Sequence, residues 1–284
     1  MVLESLMDPA KAEKRYGLVL LLGFLFAIVG GILASALKGP SQSMLFVFFT
    51  AIPAIPLMYA IIKYEEEKDL KAVSEKTLLK EHSKALIAFM FLFFGMILGM
   101  VTIFVFAPGN TTVGLFETQI HTLAEITNSM TGMVTESQIT TFNIIFFNNM
   151  KVLILSIIFS FLFGAGAIFI LSWNASVIAA AIGSFIRSQF NNIAELVGIT
   201  RVAQYFEVVT IGLLMFALHG IPEILAYFTA ALAGGIISVA IIRHDFGTEN
   251  FERIIIDSAD LIFISLVLLL IAALLEVFVT PVIF

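Results

Sequence analysis

An all-α, polytopic membrane protein is the fold class this sequence predicts, and three observations carry the prediction. Of 284 residues, 60% are hydrophobic and 13% charged, with a mean hydropathy of +1.05; a soluble domain carries about a quarter charged residues. Apolar runs about twenty residues long, enough to cross a hydrocarbon core of roughly 30 Å, recur along the whole chain. Short charged or Pro/Gly-containing connectors separate them. The 29 Phe against 1 Trp and 5 Tyr give lipid-facing sides and sparse interfacial belts. A net charge of −6 excludes a broad nucleic-acid footprint. With Cys 0, disulfides, thiol catalysis and thiolate metal sites are excluded as well.

The first sixteen residues mix Glu4, Asp8, Glu13 with Lys11, Lys14, Arg15, unlike the basic start of a signal peptide. Residues 17–37 form the first span, ended by Lys38-Gly39-Pro40. Residues 42–62 form the second, and Pro53 and Pro56 should kink it, because each removes a backbone donor. Together 1–62 make an N-terminal two-helix membrane segment. Residues 63–84 carry six lysines nearly balanced by Glu65, Glu66, Glu67, Asp69, Glu75 and Glu81, and read as an amphipathic cytoplasmic connector. From 85 to 284 a second membrane domain is expected. Its first span, 85–107, closes at Pro108-Gly109-Asn110.

The segment 108–142 contains no Lys or Arg. Leu115, Phe116, Gln119, Ile120, Leu123, Ile126, Thr127, Met130, Met133 and Val134 recur there at helical spacing, with Glu117, Glu125 and Glu136 among them. This predicts an acidic amphipathic helix lying on or near a membrane face. Thr135-Glu136-Ser137-Gln138 has capping-box form, and a helix should run from there to about Leu171. A break is expected at Trp173-Asn174, followed by a short piece, 175–186, and an interfacial stretch, 187–207. The run 208–242 would be roughly 50 Å of straight helix, more than a bilayer needs, so it should tilt or break at His219-Gly220-Ile221-Pro222-Glu223. A last span covers 259–279.

Basic residues set orientation. Three lie in the tail, six in the 63–84 connector, and Arg243 and Arg253 in the 243–257 connector. Placing these in the cytoplasm gives about seven crossings of the cell membrane, a cytoplasmic N-terminus and an outer C-terminus. Arg187 and Arg201 then face outward, a mild violation.

Small residues at spacing four (Gly23, Ala27, Gly31; Gly95, Gly99; Ala226, Ala230, Gly234; Ala231, Gly235) fit close helix packing, within the chain or across a homodimer seam. The polar residues inside apolar runs are the candidate functional set: Asn148, Asn149, Asn174, His219 and Glu223, with Gly220 and Pro222 as the helix break. His219 and Glu223 are four apart and share a helix face. An ionisable group at membrane depth costs about 3 kcal/mol or more unless paired or wet. A structural alternative is that Glu223 caps a new helix start after Pro222 while His219 bonds a freed carbonyl. No H-E-x-x-H, G-x-S-x-G or phosphate loop is present, and no third ligand completes a zinc site with His219 and Glu223. No cofactor, no metal and no enzymatic activity are therefore expected.

Asn148-Asn149, Gly164-x-Gly166, Trp173-Asn174 and His219-Gly220-Ile221-Pro222-Glu223 together resemble the family of stage II sporulation protein M, over roughly residues 85–284. Ala175 stands where that family usually has Gly, and residues 1–62 add two spans. The resemblance implies a five-span core with a long outer segment, importance for the five polar residues, and a scaffold role, since the sporulation member gathers wall hydrolases. The expected function is a non-enzymatic scaffold or subunit of a membrane complex, a homodimer touching other membrane or envelope proteins and the lipid bilayer. The alternative is a transporter or channel component with an ion or proton site at His219 and Glu223, since transporters build sites from broken helices.

Overall fold

The computed structural model describes residues 7–69, 75–131, 138–193, 198–243 and 247–283. Thr135-Glu136-Ser137 of the predicted capping box, Met133, Val134, the 70–74 part of the connector and the Arg201 side chain lie outside the described residues. Every described element is helical: α1 (Pro9–Ala12), α2 (Tyr16–Ala36), α3 (Gln42–Ala51), α4 (Ile55–Asp69), α5 (Glu75–Phe106), α6 (Gly109–Thr131), α7 (Gln138–Phe163), α8 (Ala167–Ile193), α9 (Gly198–Ile242), α10 (Glu249–Leu274) and α11 (Thr280–Ile283). Among the described residues seven helices are long and apolar enough to cross a bilayer, α3 and α4 counting together as one. The protein is an all-α, multi-pass membrane protein.

Between α3 and α4 the chain tightens into a 3₁₀ turn, Ile52–Ala54, where Pro53 and Pro56 remove donors from the α ladder. The two expected breaks further on are not where the sequence placed them. Helix α8 runs unbroken through Trp173 and Asn174, so the 175–186 piece belongs to a 27-residue helix. The interruption falls earlier, at Gly164–Gly166, where Gly164 takes φ 66°, a left-handed conformation that glycine enters without a Cβ penalty. Asn174 is tolerated mid-helix because its side chain faces the protein interior. Helix α9 likewise continues for 45 residues with Pro222 inside it. The carbonyl four residues before Pro222 loses one donor, and the flanking turns hold the rod together, as packed membrane helices allow.

Close approach of α2 and α5 binds the N-terminal pair to the rest. A Cβ on Gly23 would lie 2.1 Å from the Leu92 carbonyl oxygen, and one on Gly95 would lie 2.0 Å from that of Leu20. Gly99 meets Ala27 and Phe24 in the same way. The spacing-four glycines of these two helices therefore serve a seam within the chain. Phe89 and Phe93 of α5 carry the packing on to Phe228 of α9, at ring separations of 5.5 and 5.8 Å.

Helix α6 turns its apolar face inward, burying Leu115, Phe116 and Gln119. Thr118 meets the Ser43 hydroxyl of α3 at 2.6 Å, and Gln119 donates to Ser176 of α8 at 3.0 Å. Glu117, Ile120 and His121 stay exposed on the other face. Arg187 donates to the Ala107 carbonyl at 2.7 Å, which satisfies an acceptor at the C-terminal end of α5.

The tail, the 63–84 connector and Arg243 meet at one end of the bundle. Lys68 lies 3.0 Å from Glu13 and 2.5 Å from Glu65, His82 is 2.8 Å from Glu65, and Arg243 reaches Glu66 at 2.7 Å and Glu67 at 3.3 Å. One ammonium shared by two buried carboxylates leaves an excess negative charge. Burial, and then the adjacent Glu65, push the Glu13 carboxyl up to about 7, while Lys68 opposes the shift. A raised acid holds a proton in the folded state that the unfolded chain releases, so this contribution to stability is lost as pH rises from about 4.5 through 7. The melting temperature in detergent should therefore fall between pH 5 and pH 8, and Glu13→Gln should flatten that slope. An identical slope in the variant would rule this source out.

Candidate functional site

The polar cluster forms where α8, α9 and the end of α10 meet. Glu223 and Tyr227 lie one turn apart on α9, and the Tyr227 hydroxyl donates to Glu223 Oε1 at 2.8 Å. Tyr227 is fully buried. Asn174 of α8 stands beside the same carboxyl, its amide nitrogen buried without a well-aligned hydrogen bond. On the next turn back, His219 Nδ1 lies 3.3 Å from the Thr280 hydroxyl, and Phe216 lies beside the imidazole.

The chain near Thr280 is shaped by Pro281. Lacking an N–H and crowding the carbonyl four residues earlier, Pro281 favours a wider turn before it. Leu275–Val279 is a π-helical turn in which the Thr280 N–H reaches back to the Leu275 carbonyl. The Thr280 hydroxyl also donates to that carbonyl, at 3.1 Å. Single π turns of this kind recur at functional positions in helices. Glu276 sits in the widened turn and lies near Glu223. Among the described residues neither acid has a Lys or Arg partner. No group of three or more His, Cys, Asp and Glu side chains among the described residues converges there as a metal site requires.

A cavity of about 410 Å³ opens beside the cluster, between α2, α5, α6, α8 and α9. Among the described residues, His219 and Glu223 are the only polar side chains in its wall. Gly220 also lines it, is itself buried, and would place a Cβ in open space with no atom within 4 Å. The other walls are aliphatic or aromatic.

The structure thus gathers three of the five predicted polar residues, Asn174, His219 and Glu223. The other two stay on α7, where Asn148 is exposed and Asn149 buried; among the described residues neither hydrogen-bonds to the Glu223 group. Gly220 and Pro222 line or flank the cavity without breaking the helix. Tyr227, Glu276 and Thr280 join the site unannounced. Tyr227, four residues after Glu223 on the same face, was readable by periodicity; Glu276 and Thr280 meet α9 only through the tertiary fold.

Removing the Tyr227 hydroxyl tests how much this contact holds. Tyr227→Phe keeps the ring and strips a buried carboxyl of its donor, which costs about 1–3 kcal/mol. The melting temperature should drop accordingly, and adding Glu223→Gln should recover part of it. An unchanged melt for Tyr227→Phe would mean water replaces the hydroxyl.

Comparison with curated proteins and with solved structures returns no match. The family profile described as stage II sporulation protein M, by contrast, matches residues 88–281, from within α5 through the π turn that carries Glu276, and so spans the whole polar cluster. The chain belongs to the stage II sporulation protein M family.

Proposed function

We propose that this protein is a non-enzymatic scaffold or subunit of a membrane complex, assembled as a homodimer, with its N-terminus in the cytoplasm and its C-terminus outside. One observation carries the reading: the polar groups of the interior are tied to one another, while the cavity beside them offers only His219 and Glu223 among apolar walls. A small hydrated ion entering that space alone, with no apolar body to fill it, would exchange its whole water shell for hydrocarbon, at a cost of several kcal/mol at least. The His219–Thr280 contact instead ties α9 to the segment that follows α10, as part of a fixed frame. Partner surfaces lie outside that frame. The exposed face of α6, with Glu117 and His121, is one; the connector around Glu67 and Lys63 is the other.

The chain contains no cysteine, so single-cysteine probes report cleanly. A cysteine at Glu117 or His121 should cross-link to a second chain in native membranes, whereas one at the exposed apolar Leu25 should not. Charge reversal at Glu117 should alter the captured partners. Identical cross-linking at all three positions would defeat the assignment of α6. Transport is the competing reading, and the unpaired acids Glu223 and Glu276 favour it. Reconstituted vesicles decide between the two: a cation- or proton-coupled flux abolished by Glu223→Gln would overturn the scaffold reading.

A further inference from the structure

We infer that the cavity against Glu223 is a binding site for a lipid-soluble amine, a molecule with an apolar body and an ammonium head. This goes beyond the scaffold reading and does not depend on it. Three features of the cavity define the ligand. Its volume, about 410 Å³, falls within the range of small-molecule pockets. Its walls, contributed by five helices and including Phe94, Ile97, Ile178 and Leu213, suit an apolar body. Its polar atoms are confined to one place, where His219 and Glu223 sit on adjacent turns of α9.

Charge selects the head. Glu223 lines the cavity with one oxygen engaged by Tyr227 and without a Lys or Arg partner among the described residues. A carboxyl in an otherwise apolar wall suits a hydrogen-bond-donating cationic head better than an anionic one. A carboxylate or phosphate head would meet a carboxyl that has no Lys or Arg partner among the described residues, whereas an ammonium can donate to it and pair with it. Space is available without rearrangement, because a Cβ at the buried Gly220 would have no atom within 4 Å. A larger residue at 220 would fill that volume without meeting backbone.

The experiment uses the full chain in nanodiscs of phosphatidylcholine with three diazirine probes sharing one dodecyl chain: a primary amine, a carboxylic acid and a plain alkane. The amine should label residues around Ile97, Ile178 and Ala217 about tenfold more than the acid, a difference expected of a charge-assisted contact. Glu223→Gln should remove that preference. Gly220→Leu should abolish labelling of these residues by the amine while the protein elutes and melts as before. Equal labelling by the three probes would identify ordinary lipid contact and overturn the proposal. Amine labelling that survives Gly220→Leu unchanged would overturn it equally, and that variant remains informative even if Glu223→Gln fails to fold.

Discussion

Gly95→Leu should loosen the N-terminal helix pair from the rest of the molecule. The Cβ of any residue at 95 lies 2.0 Å from the Leu20 carbonyl oxygen, and that oxygen is backbone, so no side chain can swing aside. Either α2 moves away along its whole length or α5 does. Ordinary overpacking costs about 1–3 kcal/mol, and a backbone-to-backbone clash belongs at or beyond the top of that range. In a bilayer the loss has no hydrophobic compensation, since helix association rests on close packing. Thermal unfolding in detergent should show a large drop for Gly95→Leu. Gly17→Leu, at a position with nothing within 4 Å, should leave the melt nearly unchanged. Equal melts for both variants would refute the seam.

Lys68→Met should be the most damaging change at the charged end of the bundle. The Glu13 and Glu65 side chains are 6% and 0% exposed, and both lean on the Lys68 ammonium. Methionine keeps the length and removes the charge, leaving two carboxyls in a buried space with His82 as the nearest base. Breaking one partner out of a buried ion pair costs about 3–5 kcal/mol. Glu13→Gln in the same background should restore a substantial part, because it removes one of the two stranded acids. A double-mutant cycle on melting temperature or denaturant midpoint measures that coupling. Strict additivity of the two substitutions would show that the contact carries no energy.

What the sequence disclosed, and what it hid, follows from how each feature is encoded. The spans are written in local composition, so 17–37 appears as a helix at Tyr16–Ala36, while 42–62 begins where predicted but continues to Asp69, into the charged connector. Pro53 and Pro56 also announce the 3₁₀ turn, because the donor each one lacks is a local property. The α7–α8 turn was misplaced for the opposite reason. Phe163-Gly164-Ala165-Gly166 is apolar throughout, and only the φ of Gly164 separates it from a continuing helix. Trp173-Asn174 looked like an interruption because polarity was taken for an end; in a membrane bundle a lone Asn more often marks the inward face. Pro222 misled in the same direction. Half of the site was legible as ionisable groups in apolar surroundings. Glu276 and Thr280 were not, because their meeting with α9 depends on α10 running back alongside it, and no periodicity within one helix reports that.

The length of α9 ties this molecule to the thickness of the membrane around it. Forty-five residues make a rod of about 68 Å, while the hydrocarbon it crosses is roughly 30 Å deep. One end is anchored where Arg243 grips Glu66 and Glu67. The surplus therefore accumulates at the far end, where Phe206 and Leu214 present apolar surface. A thicker bilayer would wet more of that stretch with acyl chains, and a thinner one would expose it to headgroups and water, at a fraction of a kcal/mol for each ångström of mismatch. The fit of α9 therefore varies with the thickness of the bilayer around it.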